Sequence, residues 1–219
     1  MLLVAVVLLL CGCANDRPVM ETGTIVSSEE TCRCIVQVHA ANQDGCGVIC
    51  KVDDESLLIA TVAHIFPETE KPYEVTVTFP DGESYPATET IYDAARDVSI
   101  LKVDRKIVPA DSYCVAVLKE EGSAEQESTD AMVLYAAYDG YHSIDAILLD
   151  EAFQMEEDAP GFPKGTVILA AGQAARGMSG GGLFDKAGNL LGILAGGTTE
   201  GHLVAVPLET YETYLREFE

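Results

Sequence analysis

The amino-acid sequence predicts an all-β fold, either a sandwich or a pair of packed barrels, ending in one short helix. Two patterns carry that prediction. Short apolar and β-branched runs recur along the chain, many of them alternating, with turn signals about every 8–12 residues. Only the C-terminus carries a helical stripe: Leu208, Tyr211, Tyr214, Leu215 and Phe218 recur three or four apart, with Pro207 suited to the first turn. At 219 residues the chain is one large domain or two small ones. A chain of this length buries roughly 70% of its unfolded surface, so its core needs neither a metal nor a disulfide framework.

Taken in order, residues 1–10 are wholly apolar (MLLVAVVLLL). Such a run is short for a permanent membrane span and fits a signal-peptide core. Leu10-Cys11-Gly12-Cys13 resembles a bacterial lipobox, which implies a signal peptide over 1–12 and a lipid on Cys13. Simple secretion, or a buried apolar strand, is the alternative. Residues 13–30 carry Pro, Thr, Ser and acidic residues without periodicity and read as a tether. The lipobox reading makes the protein extracytoplasmic, anchored in a bacterial cell envelope.

Strands are predicted over 35–39, 47–52, 57–62, 73–79, 84–92, 98–103 and 115–118. Pro80-Asp81-Gly82-Glu83 is a turn in which Pro presets φ and Gly takes the positive-φ position. The acidic, aperiodic stretch 119–130 connects the two halves. Strands resume over 131–138, 143–149, 166–171, 182–184, 190–194 and 202–206, with a charged loop at 156–161.

Formal net charge is −23, from 13 basic and 36 acidic residues. Binding of nucleic acid or of an anionic lipid surface through the body of the protein is thereby disfavoured. Beyond the lipobox stand Cys32, Cys34, Cys46, Cys50 and Cys114, an odd number that forbids complete internal pairing. The even spacings within Cys32-x-Cys34 and Cys46-x₃-Cys50 put each pair on one side of a strand, as buried free thiols. If 40–45 is a hairpin loop, Cys34 and Cys50 lie opposite one another and form a cross-strand bridge. Zinc binding ranks below both, and no metal or cofactor is expected.

The chemistry centres on Gly177-Met178-Ser179-Gly180-Gly181-Gly182. Glycines allow positive φ and close backbone approach. A serine in such a turn presents its hydroxyl outward while neighbouring N–H groups converge, the geometry of an acyl-transfer nucleophile with an oxyanion hole. Alone, the stretch reads as a Gly-rich loop. Two upstream residues change that. His64 stands where the 57–62 strand ends, at a sheet rim where a general base is accessible; by itself it reads equally as a capped, solvated loop histidine. Asp97 immediately precedes the 98–103 strand, which would anchor a carboxylate where it can accept a hydrogen bond from an imidazole Nδ1–H and fix the tautomer; a plain turn residue is the alternative reading.

Thr61-Val62-Ala63-His64, then Asp97-Val98-Ser99-Ile100-Leu101-Lys102, then Gly177-Met178-Ser179-Gly180-Gly181 resemble the three signature segments of chymotrypsin-fold, trypsin-like serine proteases. The likeness is to the HtrA/Deg-like branch, in the chain order His, Asp, Ser. Gly45-Cys46-Gly47-Val48-Ile49, Val75-Thr76-Val77-Thr78-Phe79-Pro80-Asp81-Gly82, Gly188-Asn189-Leu190-Leu191-Gly192-Ile193 and Leu203-Val204-Ala205-Val206-Pro207 agree with it. The resemblance runs from about residue 31 to the C-terminus. It implies two six-stranded antiparallel β-barrels, 31–118 and 131–206, followed by a helix over 207–219, with no PDZ-like module behind them.

The resemblance further implies that Ser179 is the nucleophile, His64 the general base and acid, and Asp97 the group that orients His64. The Gly177 and Ser179 N–H groups would form the oxyanion hole. Ala195, Gly196 and Gly197 would wall the specificity pocket, with 172–175 at its base. Gln173, six residues before Ser179, stands where a trypsin-like enzyme carries an acid, so a small-to-medium apolar P1 residue is expected rather than Lys or Arg. Met178 replaces the usual Asp or Asn, and Gly182 replaces the commoner Pro. The first reading is a serine endopeptidase acting on protein or peptide. The alternative is a catalytically weak or silent lipoprotein of the same fold serving as a binding or scaffold module.

Overall fold

The computed structural model describes residues 29–66, 74–119, 129–155 and 162–218. The signal peptide, Cys13, most of the tether, most of the 119–130 connection and the 156–161 loop lie outside the described residues.

A four-residue helix α1 (Glu29–Cys32) precedes β1 (Ile35–Ala40), β2 (Gln43–Val52), β3 (Ser56–Thr61), β4 (Val75–Thr78), β5 (Ser84–Asp93) and β6 (Val98–Asp104). These six strands close an antiparallel barrel in the order β1-β2-β3-β6-β5-β4, with β4 returning to β1. The apolar run of β3 is buried at every residue, so it sits between the barrel interior and the rest of the molecule.

The second half contributes β7 (Val117–Leu118), β8 (Asp130–Ala137), β9 (Gly140–Met155), β10 (Gly165–Ala171), β11 (Gly182–Asp185), β12 (Asn189–Gly197) and β13 (His202–Pro207). Strands β11-β8-β9-β10-β13-β12 follow one another, and pairing of β11 with β12 closes the second six-stranded barrel. The chymotrypsin-like pair of barrels is thus the observed architecture.

The strand expected over 115–118 differs from its prediction. It is two residues long and pairs in parallel with β12 of the second barrel. Ala116 N–H still donates to the Ile49 carbonyl at 2.9 Å, while Lys119 N–H donates to the Leu190 carbonyl at 3.2 Å. The segment is therefore a strap that leaves the first barrel at Ala116 and joins the second one residue later.

The cysteine arrangement also needs correcting. Cys32 lies in α1, so Cys32 and Cys34 do not share a strand face. Cys34 and Cys50 are free thiols, not a bridge. The reason is register. The β1–β2 hairpin turns through Ala41 and Asn42 alone, since Ala40 pairs with Gln43, and the Cys34 carbonyl accepts Ile49 N–H at 2.8 Å. Cys34 therefore faces Ile49, one residue short of Cys50. Burial pushes the Cys50 thiol up to about 12, which keeps it protonated and unreactive.

One apolar core runs through both barrels, with Phe66, Phe79, Phe184 and Tyr211 among its largest fully buried side chains. The terminal helix α2 (Leu208–Leu215) buries Leu208, Tyr211 and Leu215. Pro207 closes β13 and caps this helix rather than occupying its first turn. The Tyr211 hydroxyl, fully buried, donates to the Thr61 carbonyl at 2.9 Å. Burial raises its pKa well above the ordinary phenol value, and the nearby Asp97 charge raises it further. Helix α2 is thereby latched to the end of β3, three residues before His64.

Candidate active site

After β3 the chain makes one 3₁₀ turn, Ala63–Ile65. Ala63 and Ile65 are buried, which fixes the turn and leaves His64 between them facing outward, its side chain 42% exposed. Asp97 sits in the turn before β6 with φ +55°. That left-handed conformation suits Asp better than most L-residues, since its short polar side chain bonds locally. Its carboxylate is nearly buried and grips His64 twice. Oδ1 accepts the His64 main-chain N–H at 2.8 Å, and Oδ2 lies 2.8 Å from Nδ1. On the other side of the ring, Nε2 lies 3.0 Å from Ser179 Oγ. Three residues separated by up to 115 positions are thus joined in one line: carboxylate, imidazole, hydroxyl.

The loop holding Ser179 is built by close backbone approach. At Gly180, φ is +85° and an added Cβ would sit 1.9 Å from the Cys46 carbonyl oxygen and 2.6 Å from Thr61 Oγ1. Only glycine lets the loop press onto the first barrel there. Cys46 N–H donates to the Ser179 carbonyl at 2.7 Å, and Thr61 Oγ1 donates to the Cys46 carbonyl at 2.6 Å. Gly182 opens β11 with Phe184 folded against it, where a Cβ would meet the ring at 2.3 Å.

Met178 is completely buried. Its Sδ accepts the Ala175 N–H at 2.9 Å, and its own N–H donates to the Ala175 carbonyl at 3.3 Å. At this position a carboxylate or carboxamide would need polar partners in the core. Met178 anchors the loop by packing and closes the 175–178 turn through sulfur.

The amide bookkeeping of the loop is informative. Gly180 N–H donates to the Leu194 carbonyl at 2.8 Å and Gly181 N–H to the Met178 carbonyl at 2.9 Å. Among the described residues, the N–H groups of Gly177 and Ser179 donate to no acceptor. Those two are the amides the resemblance assigns to an oxyanion hole.

Of the expected pocket residues, Ala195 is buried and Gly196 and Gly197 end β12. Gly197 abuts Ala174, where an added Cβ would come within 2.6 Å of the Ala174 Cβ, whereas at Gly196 it would meet nothing within 4 Å. Segment 172–175 therefore runs beside the end of β12, and Gln173 is exposed. Three residues that support the site were missed in the sequence: Thr61, Cys46 and Tyr211. Only Tyr211 left a signal, because a tyrosine on an apolar stripe brings a hydroxyl that must find a partner when buried.

The chain matches the family model described as a trypsin-like peptidase domain over residues 45–193. The chain belongs to the trypsin-like peptidase family. It is a chymotrypsin-fold serine peptidase, and proteins or peptides are its class of substrate. Among solved structures, an inactive Ser-to-Ala form of Rv3671c from M. tuberculosis superposes with TM-score 0.66 at 22% identity, covering 85% of this chain and 87% of that one. The active form of the same protease gives TM-score 0.64 at 20% identity, covering 90% and 89%. The serine endoprotease of Yersinia pestis gives 0.64 at 19% identity, covering 86% of this chain and 63% of that chain. At these identities the likeness is one of fold. No curated protein matches this trypsin-like peptidase by sequence. Among its described residues no helix is long and apolar enough to cross a membrane.

Proposed function

We propose that this trypsin-like peptidase is an endopeptidase that cleaves by nucleophilic attack of Ser179. The observation that carries the reading is the unbroken line Asp97–His64–Ser179, with contacts of 2.8 and 3.0 Å. For Ser179 Oγ to donate to Nε2, the imidazole proton must reside on Nδ1, and Asp97 Oδ2 is the acceptor that keeps it there. As Oγ bonds to the scissile carbonyl carbon, its proton passes to Nε2. The tetrahedral intermediate's oxygen takes the negative charge, and the free N–H groups of Gly177 and Ser179 supply donors for it. Collapse breaks the C–N bond, and Nε2 returns the proton to the leaving amine. Water then repeats the cycle on the acyl-enzyme.

Gln173 and the small residues Ala174, Gly196 and Gly197 offer no carboxylate for a basic P1 side chain. A peptide-library digest at about pH 8, where histidine bases are mostly neutral, is expected to cut after small-to-medium apolar residues. All cleavage should vanish in Ser179→Ala. Cleavage after Lys or Arg would refute the pocket assignment, and Ser179-independent cleavage would refute the mechanism.

We further propose that the enzyme lies outside the cytoplasm on a lipid anchor at Cys13, on the strength of the Leu10-Cys11-Gly12-Cys13 pattern. Full-length protein expressed in a bacterial host should fractionate with membranes and become soluble in Cys13→Ser. Equal partition of the two would remove the anchor from the account.

A further inference from the structure

Cys46 makes more contacts with the nucleophile loop than a buried apolar filler would. Its side chain is completely buried on β2, and burial pushes the thiol up to about 12, the Ala136 hydrogen bond offsetting part of the shift. The thiol is therefore a neutral donor. Its Sγ lies 3.1 Å from the Gly177 carbonyl oxygen and 3.2 Å from the Ala136 carbonyl oxygen, between which its single proton is shared. Sulfur also accepts the Ala136 N–H at 3.3 Å. Meanwhile the Cys46 main-chain N–H donates to the Ser179 carbonyl.

These contacts restrain a place that lacks restraint of its own. Gly177 has no Cβ and stands at φ +85°, so local sterics do little to fix where its N–H points. Orientation must come from neighbours. Of the carbonyls of residues 177, 178 and 179, the middle one is held inside the loop by Gly181 N–H, and the outer two are held by Cys46, one through sulfur and one through nitrogen. Gly181 N–H on the Met178 carbonyl holds the peptide plane that carries the Ser179 N–H. Cys46 Sγ on the Gly177 carbonyl holds the plane that follows the Gly177 N–H, so Gly177 is restrained on its C-terminal side. Among the described residues, both amides stay without an acceptor.

We propose that the Cys46 thiol is a positioning residue for the oxyanion hole, pinning the Gly177 carbonyl so that the loop is preorganised before substrate arrives. This rests on Ser179 being the nucleophile with Gly177 and Ser179 N–H as its hole. Cys46 does not touch the reacting atoms. Its effect is on how much of the transition-state charge the amides meet without reorganising.

The test compares wild type, Cys46→Ala, which removes the thiol but keeps the main-chain N–H, and Cys46→Ser, which restores a donor. Substrate is a peptide cleaved in the library digest, with kcat, KM, the rate of Ser179 labelling by a fluorophosphonate, and Tm all measured. Cys46→Ala is expected to lower kcat and the labelling rate together by about 10- to 100-fold with KM within about twofold. Cys46→Ser should recover most of both. Should Cys46→Ala fail to fold, Cys46→Val refills the apolar volume without a donor and is read in its place.

A lowered Tm with kcat unchanged would reduce Cys46 to a packing residue and overturn the proposal. A rise in KM at constant kcat, or no recovery in Cys46→Ser, would also overturn it. Absence of Ser179-dependent turnover in the wild type overturns the function together with this inference. Ser179-dependent turnover that is indifferent to Cys46 overturns this inference alone.

Discussion

Asp97→Asn is expected to lower kcat by about 10⁴-fold while leaving the fold intact. Asparagine tolerates the left-handed φ of +55° that Asp97 adopts. Its Oδ1 still accepts the His64 main-chain N–H, so the contact that fixes the 3₁₀ turn survives. What changes is the second contact. The Asn Nδ2 presents hydrogen to Nδ1, so Nδ1 must become the acceptor and the ring proton moves to Nε2. Nε2–H then faces Ser179 Oγ, and the base that should take the serine proton is lost. Stopped-flow or steady-state hydrolysis of a peptide substrate, paired with thermal melting, checks both halves. Activity within tenfold of wild type would mean that Asp97 does not set the imidazole tautomer.

Gly180→Ala should instead damage the fold. The added methyl would lie 1.9 Å from the Cys46 carbonyl oxygen, which is main chain of β2 and cannot swing aside. The positive φ of +85° adds roughly 1–2 kcal/mol for an L-residue, and overpacking adds about 1–3 kcal/mol or more. A loss of at least about 3 kcal/mol corresponds to a Tm drop of about 10 °C. Gly196→Ala is the control, because a Cβ there meets nothing within 4 Å, and its Tm should stay within about 2 °C of wild type. Equal melting of the two variants would show that the loop does not press on the first barrel as described.

The candidate constellation is legible because acyl transfer calls for scarce residue types, and because trypsin-like chains carry them in the order His, Asp, Ser. A serine among glycines, a histidine at a strand end and an aspartate ahead of a strand are each ordinary alone, and their order made them informative. Alternation and turn signals predict the all-β class and leave sandwich and barrel pair open, while the two six-stranded barrels are what the resemblance to trypsin-like proteases implies.

What stayed hidden depended on single-residue register. The β1–β2 hairpin turns through Ala41 and Asn42, with Ala41 at φ +54°. Alanine gives no turn signal there, so the sequence predicts a longer loop that would set Cys34 opposite Cys50 rather than Ile49. Strand β7 gains its partner only when the barrels pack, and two residues carry no periodicity. The Cys46 sulfur reads as apolar filler, because side-chain type does not reveal which backbone groups lie within reach across 131 residues of chain.

The proposed chemistry requires Ser179 to be a nucleophile activated by His64 and Asp97. Labelling of the purified protein by a fluorophosphonate at about pH 8, followed by mass spectrometry of the modified peptide, tests it most directly. One covalent adduct is expected on Ser179, absent from Ser179→Ala and reduced to background in His64→Ala. A wild-type protein that stays unlabelled under those conditions, or is labelled equally without Ser179, would contradict it.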